Sequence, residues 1–267
     1  MSTMVKYLSL LIVLLLTGTS LATTLEETFK KRIQFSPGGY LELSNTNGEI
    51  DVQSWDQDEV EIIAHKKVRA QGSENAHKLM ERLEIIVSQR GEKIYIETKM
   101  PHRSGSGGGF FDWIFGRNEN SCAVSYELRV PRQIDLNIGT TNGEINIRDI
   151  NGRMRLNSTN GKISGKEITG LVKCKTTNGS IKMAFDQVPD EEEMSFRTTN
   201  GSIRVYLPRT FGGYIDLQTT NGRIESDFHL SSTRKHSKKR FKGMVHDGNC
   251  DLTCTTTNGS IYLYYND

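Results

Sequence analysis

The chain has 267 residues, enough for one large domain or two small ones. Lys and Arg number 34 against 32 Asp and Glu, a formal net charge of +2. That balance excludes attraction of a polyanion or polycation to the chain as a whole, so a charged partner would need a local patch.

The first element is an export signal. Lys6 precedes the apolar run Leu8–Leu16, and a small-residue tail ends at Ser20 and Ala22. Ser-x-Ala fits the small-x-small cleavage rule, which places the cut after Ala22. The run is shorter than the roughly 20 residues of a bilayer-spanning helix, although an uncleaved anchor is the alternative. No Cys precedes Cys122, which removes a lipoprotein-type anchor. The mature chain is expected in the periplasm or at the cell surface.

Residues 23–121 form the expected N-terminal unit. The stretch SENAHKLMERLEI predicts a short amphipathic helix from near Ser73, and LEIIVSQ and KIYIETK predict two strands joined at Arg90-Gly91-Glu92. A Gly-rich segment at 101–120 then brings Phe110, Phe111, Trp113, Ile114 and Phe115 together. An exposed apolar tip for a membrane or protein partner is one reading. The other is a flexible loop whose aromatics fold back over the core. A phosphate cradle is not expected, because neither a P-loop Lys nor a following helix is evident.

Residues 122–267 form the expected C-terminal unit, built on a repeat that begins earlier in the chain. Thr-Asn-Gly-x-Ile occurs seven times, at Asn47-Gly48, Asn142-Gly143, Asn160-Gly161, Asn178-Gly179, Asn200-Gly201, Asn221-Gly222 and Asn258-Gly259. The later intervals are 18, 18, 22, 21 and 37 residues, the periodicity of stacked repeats. Half-copies at 150–154 and 168–172 give a sub-period of nine, one short strand plus one turn. The segments 38–50 and 212–224 share eight of thirteen residues.

Aligned on Asn, the columns six and four places before it and three after it are almost wholly apolar, with polar columns between. This alternation predicts half-buried strands on both sides of each turn. Asn-Gly is also the strongest short hairpin signal, so an antiparallel meander sandwich is the alternative. A meander needs a cover for its apolar face, and the chain offers one short helix. A coil of two strands covers its own interior. The expected fold is therefore all-β, a parallel β-solenoid of about 18–22 residues per coil. Each Asn stacks on the previous one, where side-chain amides can bond along the stack, and Gly supplies a corner at φ > 0. Pro37, Pro131, Pro189 and Pro208 lie 10 to 13 residues before an Asn and suit the opposite corner.

These Asn-Gly repeats, with SWDQDEVEI (54–62) and YELRVPRQIDLNIGTTNGEI (126–145), resemble the bacterial putative-adhesin family of β-repeat domains. The resemblance covers roughly residues 35–267. It implies an exported β-solenoid and supplies no catalytic residues to carry over. The 37-residue last interval departs from the pattern.

That interval holds SSTRKHSKKRFKGMVH (231–246), with Arg234, Lys235, Lys238, Lys239, Arg240 and Lys242 and no acid. It reads as a mobile loop surplus to the coil, removable without loss of fold, and as a site for an anionic polymer or lipid surface. Nucleic acid is not an expected partner of an exported chain.

Other chemistry is thin. His246, Cys250 and Cys254 stand at spacing four, which would converge on a metal in a helix; the neighbouring Thr and Gly argue for a strand. No zinc or other cofactor is expected. Cys174 and Cys254 fall in one inward column, three coils apart, and read as core residues, leaving Cys122 and Cys250 as a candidate disulfide. No Gly-x-Ser-x-Gly or His-Glu-x-x-His occurs. The column two after Asn shows no acidic ladder for glycan cleavage, and the Asn-Gly-Ser sequons are explained by the turn. The expected function is that of a non-enzymatic scaffold or adhesin-like module at the cell envelope. Alternatives are a binder of anionic envelope polymer, lipid or another envelope protein and, third, a glycan-active enzyme. An uncapped coil end would permit end-to-end self-association.

Overall fold

The computed structural model describes residues 22–101, 120–189, 193–230 and 232–266. In chain order the strands are β1 Ala22–Gln34, β2 Tyr40–Ser44, β3 Ile50–Trp55 and β4 Glu59–Gln71. The helix α1 (Ser73–Arg82) is followed by β5 Glu84–Arg90, β6 Lys93–Lys99 and β7 Ser121–Pro131. The repeat region runs as β8 Asp135–Asn142, β9 Ile145–Asn160, β10 Ile163–Lys175, β11 Ile181–Gln187, β12 Glu193–Asn200, β13 Ile203–Leu207, β14 Gly213–Asn221 and β15 Ile224–Ser226. Last come β16 Ser232–Ser237, β17 Arg240–Val245, β18 Cys250–Asn258 and β19 Ile261–Tyr265. The protein is all-β around this single described helix.

No two strands flanking an Asn-Gly turn pair antiparallel across it, so the turns are not hairpins. Each flank pairs in parallel with the same flank of another copy, as in Ile145↔Ile163↔Ile181↔Ile203↔Ile261. Two ladders result. The first runs β5-β6-β2-β8-β9-β10-β12-β18-β14-β17-β16. The second runs β1-β4-β7-β3-β9-β10-β11-β13-β19-β15. The long strands β9 and β10 belong to both, crossing over at a bend where Asp149 (φ 53) and Glu167 (φ 59) are left-handed. Asp149 is held there by Arg132 at 2.9 Å and by the Ser54 hydroxyl.

Alternation fills the space between the ladders. Leu41, Leu136, Met154, Val172, Met194, Ile215 and Leu252 are buried, as are Leu43, Ile138, Leu156, Cys174, Phe196, Leu217 and Cys254. The Ile column faces them and is buried too, except for Ile224 on the edge strand β15, which is half-buried. Each fully buried aliphatic side chain contributes roughly 1.5–3 kcal/mol, so the repeated columns are the main source of stability. Where the pattern places Gly165, the Met183 sulfur occupies the space a Cβ would need, at 2.1 Å.

Chain order and stack order differ. The last copy, β18 and β19, lies between β12 and β14 and between β13 and β15, so the copy at 213–226 is outermost. This explains the 37-residue interval: the chain completes the end of the stack before doubling back into it. It also sets Cys174 and Cys254 two strands apart, with Phe196 between them, rather than three coils.

Within the connecting segment, residues 232–245 are not a loop. β16 and β17 form an antiparallel hairpin, and β17 pairs antiparallel with β14 from Gly213↔Val245 to Gln218↔Arg240. Phe241 and Val245 enter the core. The six-residue strand β17 alternates inward and outward, so a β period was present within the basic run. The turn of this hairpin also takes the place of a further repeat copy, because Lys239 O accepts Thr219 N–H and Lys238 O accepts Ile224 N–H, both at 3.0 Å. The opposite end of the first ladder carries a second hairpin, β5–β6, as the sequence predicts. The two Gly-Gly-Tyr segments lie against these caps. Lys93 of one cap sits over Tyr40, and Lys242 of the other over Tyr214. In the second ladder, α1 buries Ala76 and Met80 against β4 and β1.

Candidate binding surfaces

The Asn side chains form one hydrogen-bonded file. Asn142 donates to Asn47 at 2.8 Å; Asn160, Asn178, Asn200 and Asn258 each donate to the preceding amide at 2.7 Å; Asn221 donates to Asn258 at 2.8 Å. Asn47 closes the file on Cys122 O at 3.1 Å. The file order, 200–258–221, follows the stack and not the sequence.

The glycines of these turns work differently from the expectation. Only Gly48 has positive φ (124°). At the other six corners the backbone suits any residue, and close approach excludes a side chain. A Cβ on Gly179 would lie 2.0 Å from Gly161 O, and one on Gly161 would lie 1.8 Å from Gly143 O. A polar column accompanies them. Thr176, Thr198, Thr219 and Thr256 are buried and donate to the carbonyls of Gly161, Gly179, Gly259 and Gly201 at 2.7–3.0 Å. This column stands two places before Asn, in step with the apolar ones. A rule that looks for apolar residues passes over it, although the period of two points to it.

The basic hairpin is partly neutralised. Arg240 and Lys242 both reach Asp216 Oδ2, at 2.8 and 3.0 Å, and that carboxylate raises the Lys242 pKa. Lys238 and Lys239 are exposed at the tip. Arg234 and Lys235 lie in β16, with side chains outside the described residues. Phe110, Phe111, Trp113 and Phe115 also lie outside the described residues.

The cysteines are all buried and free, so Cys122 and Cys250 are not paired. They sit on β7 and β18, at separate places in the stack. Burial pushes the Cys122 thiol up to about 11 and raises Cys174 and Cys254 further. His246 stands beside Phe211 O at 2.9 Å, and Cys254 faces the core on a strand. Among the described residues no helix is long and apolar enough to cross a membrane.

A surface that the sequence reading did not single out lies on the outer side of the second ladder. A groove of about 820 Å³ crosses β7, β3, β9, β10, β11 and β13. Its floor is made of short side chains, Asn146, Ser164 and Ala184, on neighbouring strands. Asn146 Nδ2 donates to Glu49 at 2.7 Å and to Asp51 at 2.9 Å, and its oxygen accepts from Ser164. Burial, followed by the neighbouring Asp51 and Glu144, raises the pKa of Glu49. Arg148, Lys162, Lys166, Lys182 and Tyr206 stand around this floor. The Tyr206 ring continues into Tyr264 and Tyr262, at centroid distances of 5.8 and 5.9 Å along the chain of rings. The signal was present in the outward columns, but the 18- to 37-residue spacing scatters it along the sequence.

Comparison with solved structures finds similarity at low identity. A putative cell adhesion protein from Clostridium sporogenes ATCC 15579 is 11% identical, with a TM-score of 0.44, over 90% of this chain and all of that one. A putative adhesin from Bacteroides fragilis NCTC 9343 is 10% identical, with a TM-score of 0.42, over 89% and 97%. A putative lipid binding protein from Parabacteroides distasonis ATCC 8503 is 11% identical, with a TM-score of 0.31, over 88% and 96%. No curated protein sequence matches the chain. A family model described as a domain of unknown function (DUF7330) matches residues 132–267, which holds six of the seven Asn-Gly copies, and the chain belongs to that family.

Proposed function

We propose that this chain is exported and serves as a non-enzymatic β-solenoid scaffold, an adhesin-like binding module at the cell envelope. One observation carries the reading. The parallel register stacks copy on copy, so the invariant residues are consumed in Asn, Thr and Gly files, and the variable outward columns are left as two long presented faces. Such a division between a fixed interior and a variable surface suits display. The N-terminal sequence supports export, with Lys6, the apolar run Leu8–Leu16 and the small residues Ser20 and Ala22 in the order of a cleavable signal. Glycan cleavage uses paired carboxylates, and the column two after Asn, which turns to Lys162, Ser180, Ser202, Arg223 and Ser260 after Glu49 and Glu144, favours a binding role over the glycan-active alternative.

The test is fractionation of the native host with mass measurement of the protein's N-terminus. The reading expects Thr23 as the first residue and a periplasmic or surface fraction. Full-length protein confined to the cytosol would refute it. A second reading places contact with an anionic polymer or lipid at the hairpin tip, favoured by the exposed Lys238 and Lys239.

A further inference from the structure

The outer groove of the second ladder has the features of a built site. Its lining includes short side chains on three adjacent strands: Asn146, its register partner Ser164, and Ala184, two residues beyond the Lys182 that pairs with Ser164. The floor is also preorganised, since the Asn146 amide is fixed by Glu49, Asp51 and Ser164. Arg148 and Lys166 are register partners on β9 and β10. On the next strand Lys182 projects over the Tyr206 ring, 5.5 Å from its centroid. Arg148 and Lys182 are exposed and form no ion pair among the described residues; Lys162, also exposed, lies within electrostatic reach of Glu49, and the Lys166–Glu167 pair, 2.9 Å apart, is open to solvent and weak.

We propose that this groove binds a linear acidic polysaccharide, with carboxylate-bearing sugars lying across the strands. Arg148 and Lys166 stand one strand apart, ~4.8 Å, on the scale of one sugar ring, and Lys182 lies one strand further on in the adjacent row, beside Ser164. Tyrosine faces offer an apolar plate with a polar edge, suited to the C–H face and hydroxyls of a sugar. The donors of Asn146 and Ser164 are taken by Glu49, Asp51 and Asn146 itself, so the floor offers sugar hydroxyls the remaining acceptor lone pairs of Asn146 Oδ1 and Ser164 Oγ. Asp51 and Glu127 line the other side and restrict the anionic stretch to the basic half. A flat bilayer cannot enter a recess framed by raised side chains, so an acidic glycan fits better than a lipid surface. This inference rests on the exported binding-module reading and moves the ligand from the hairpin to the sheet face.

The probe is polygalacturonate, with neutral dextran, phosphatidylglycerol vesicles and a thymidine oligonucleotide as comparisons, titrated against residues 23–267. Polygalacturonate is expected to bind, dextran to bind far more weakly, and salt to weaken the binding. Lys162→Glu with Lys182→Glu is expected to weaken it at least about tenfold, and Tyr206→Ala several-fold. Lys238→Glu with Lys239→Glu at the hairpin tip is expected to leave it unchanged. All are surface changes, and circular dichroism checks that each variant is folded. Unchanged affinity in the folded groove variants, loss in the hairpin variant, or tighter binding of vesicles or oligonucleotide would each overturn the proposal. No polygalacturonate binding by the parent protein would also overturn it, while leaving the export result standing.

Discussion

Gly179→Ala tests why glycine recurs at the corners. At a position with ordinary φ, replacing Gly by Ala stabilises a protein by about 0.4–1 kcal/mol, because the unfolded chain loses freedom. Gly179 has no positive φ, so that gain is available. The structure predicts the opposite sign. The new Cβ would lie 2.0 Å from Gly161 O and 2.5 Å from Gly161 C, both backbone atoms that no rotamer change can move. Relief requires the stacked turns to separate by roughly 1 Å. That strains Thr176 Oγ1→Gly161 O and Gly161 N→Asn178 O, both 3.0 Å. Overpacking costs about 1–3 kcal/mol, and two weakened hydrogen bonds cost up to about 0.5–1.5 kcal/mol each. Net of the entropic gain, the loss is about 2–4 kcal/mol. Gly139→Ala is the control, since its Cβ would meet nothing within 4 Å; it should be neutral or slightly stabilising. Urea unfolding of residues 23–267 measures both, as shifts in midpoint at constant slope. Equal midpoints for the two variants would refute close approach as the reason for glycine.

Within the Asn file, position decides cost. Asn178→Ala breaks two amide bonds and should destabilise by about 1–3 kcal/mol, whereas Asn221→Ala at the end breaks one and should cost about half as much in the same urea assay. Alkaline pH probes Tyr126, whose hydroxyl lies 2.6 Å from that of Thr98 and is pushed up by burial from 10.0 to about 12. The folded state holds this proton more tightly than the unfolded state. Its contribution is therefore complete below pH 10 and is lost as pH rises toward 12, by up to about 2 kcal/mol. Urea midpoints measured from pH 9 to 11.5 should fall more steeply in the parent than in Tyr126→Phe; parallel curves would refute the assignment.

The period-two columns around each Asn were legible because they repeat seven times with the same offsets. So was the helix at Ser73, from its apolar spacing. Stack order was not legible. Nothing local in DLTCTTTNGSIYLYY tells β18 to enter between β12 and β14, since every copy offers the same edge and register. The choice is made by what the outermost copy needs, which is a cover, and the cover is encoded in the hairpin. The turn glycines were misread for a related reason: φ > 0 is a local property, while the 2.0 Å approach of Gly161 O to a Cβ on Gly179 exists only between copies. The groove was hidden in the same way, because Asn146, Ser164 and Ala184 become neighbours only through parallel pairing.

The hairpin itself gives the sharpest contrast between charge composition and packing. Six basic residues in one stretch suggest a solvated insertion, and on that view deleting 231–243 should leave the fold intact. The structure argues for loss. The deletion removes Phe241 from the core, at roughly 1.5–3 kcal/mol for a buried side chain of that size. It leaves the Asp216 carboxylate, which has 22% of its side chain exposed, without Arg240 and Lys242. It also strips Thr219 N–H and Ile224 N–H of their acceptors and uncovers the β14 edge from Gly213 to Gln218. An uncovered edge of parallel ladder pairs readily with another chain. The deleted protein should therefore unfold at lower urea and elute from size exclusion as dimers or larger species, while the parent elutes at its own mass. A variant that keeps both the parent's urea midpoint and its elution volume would show that the hairpin rests on the stack without capping it.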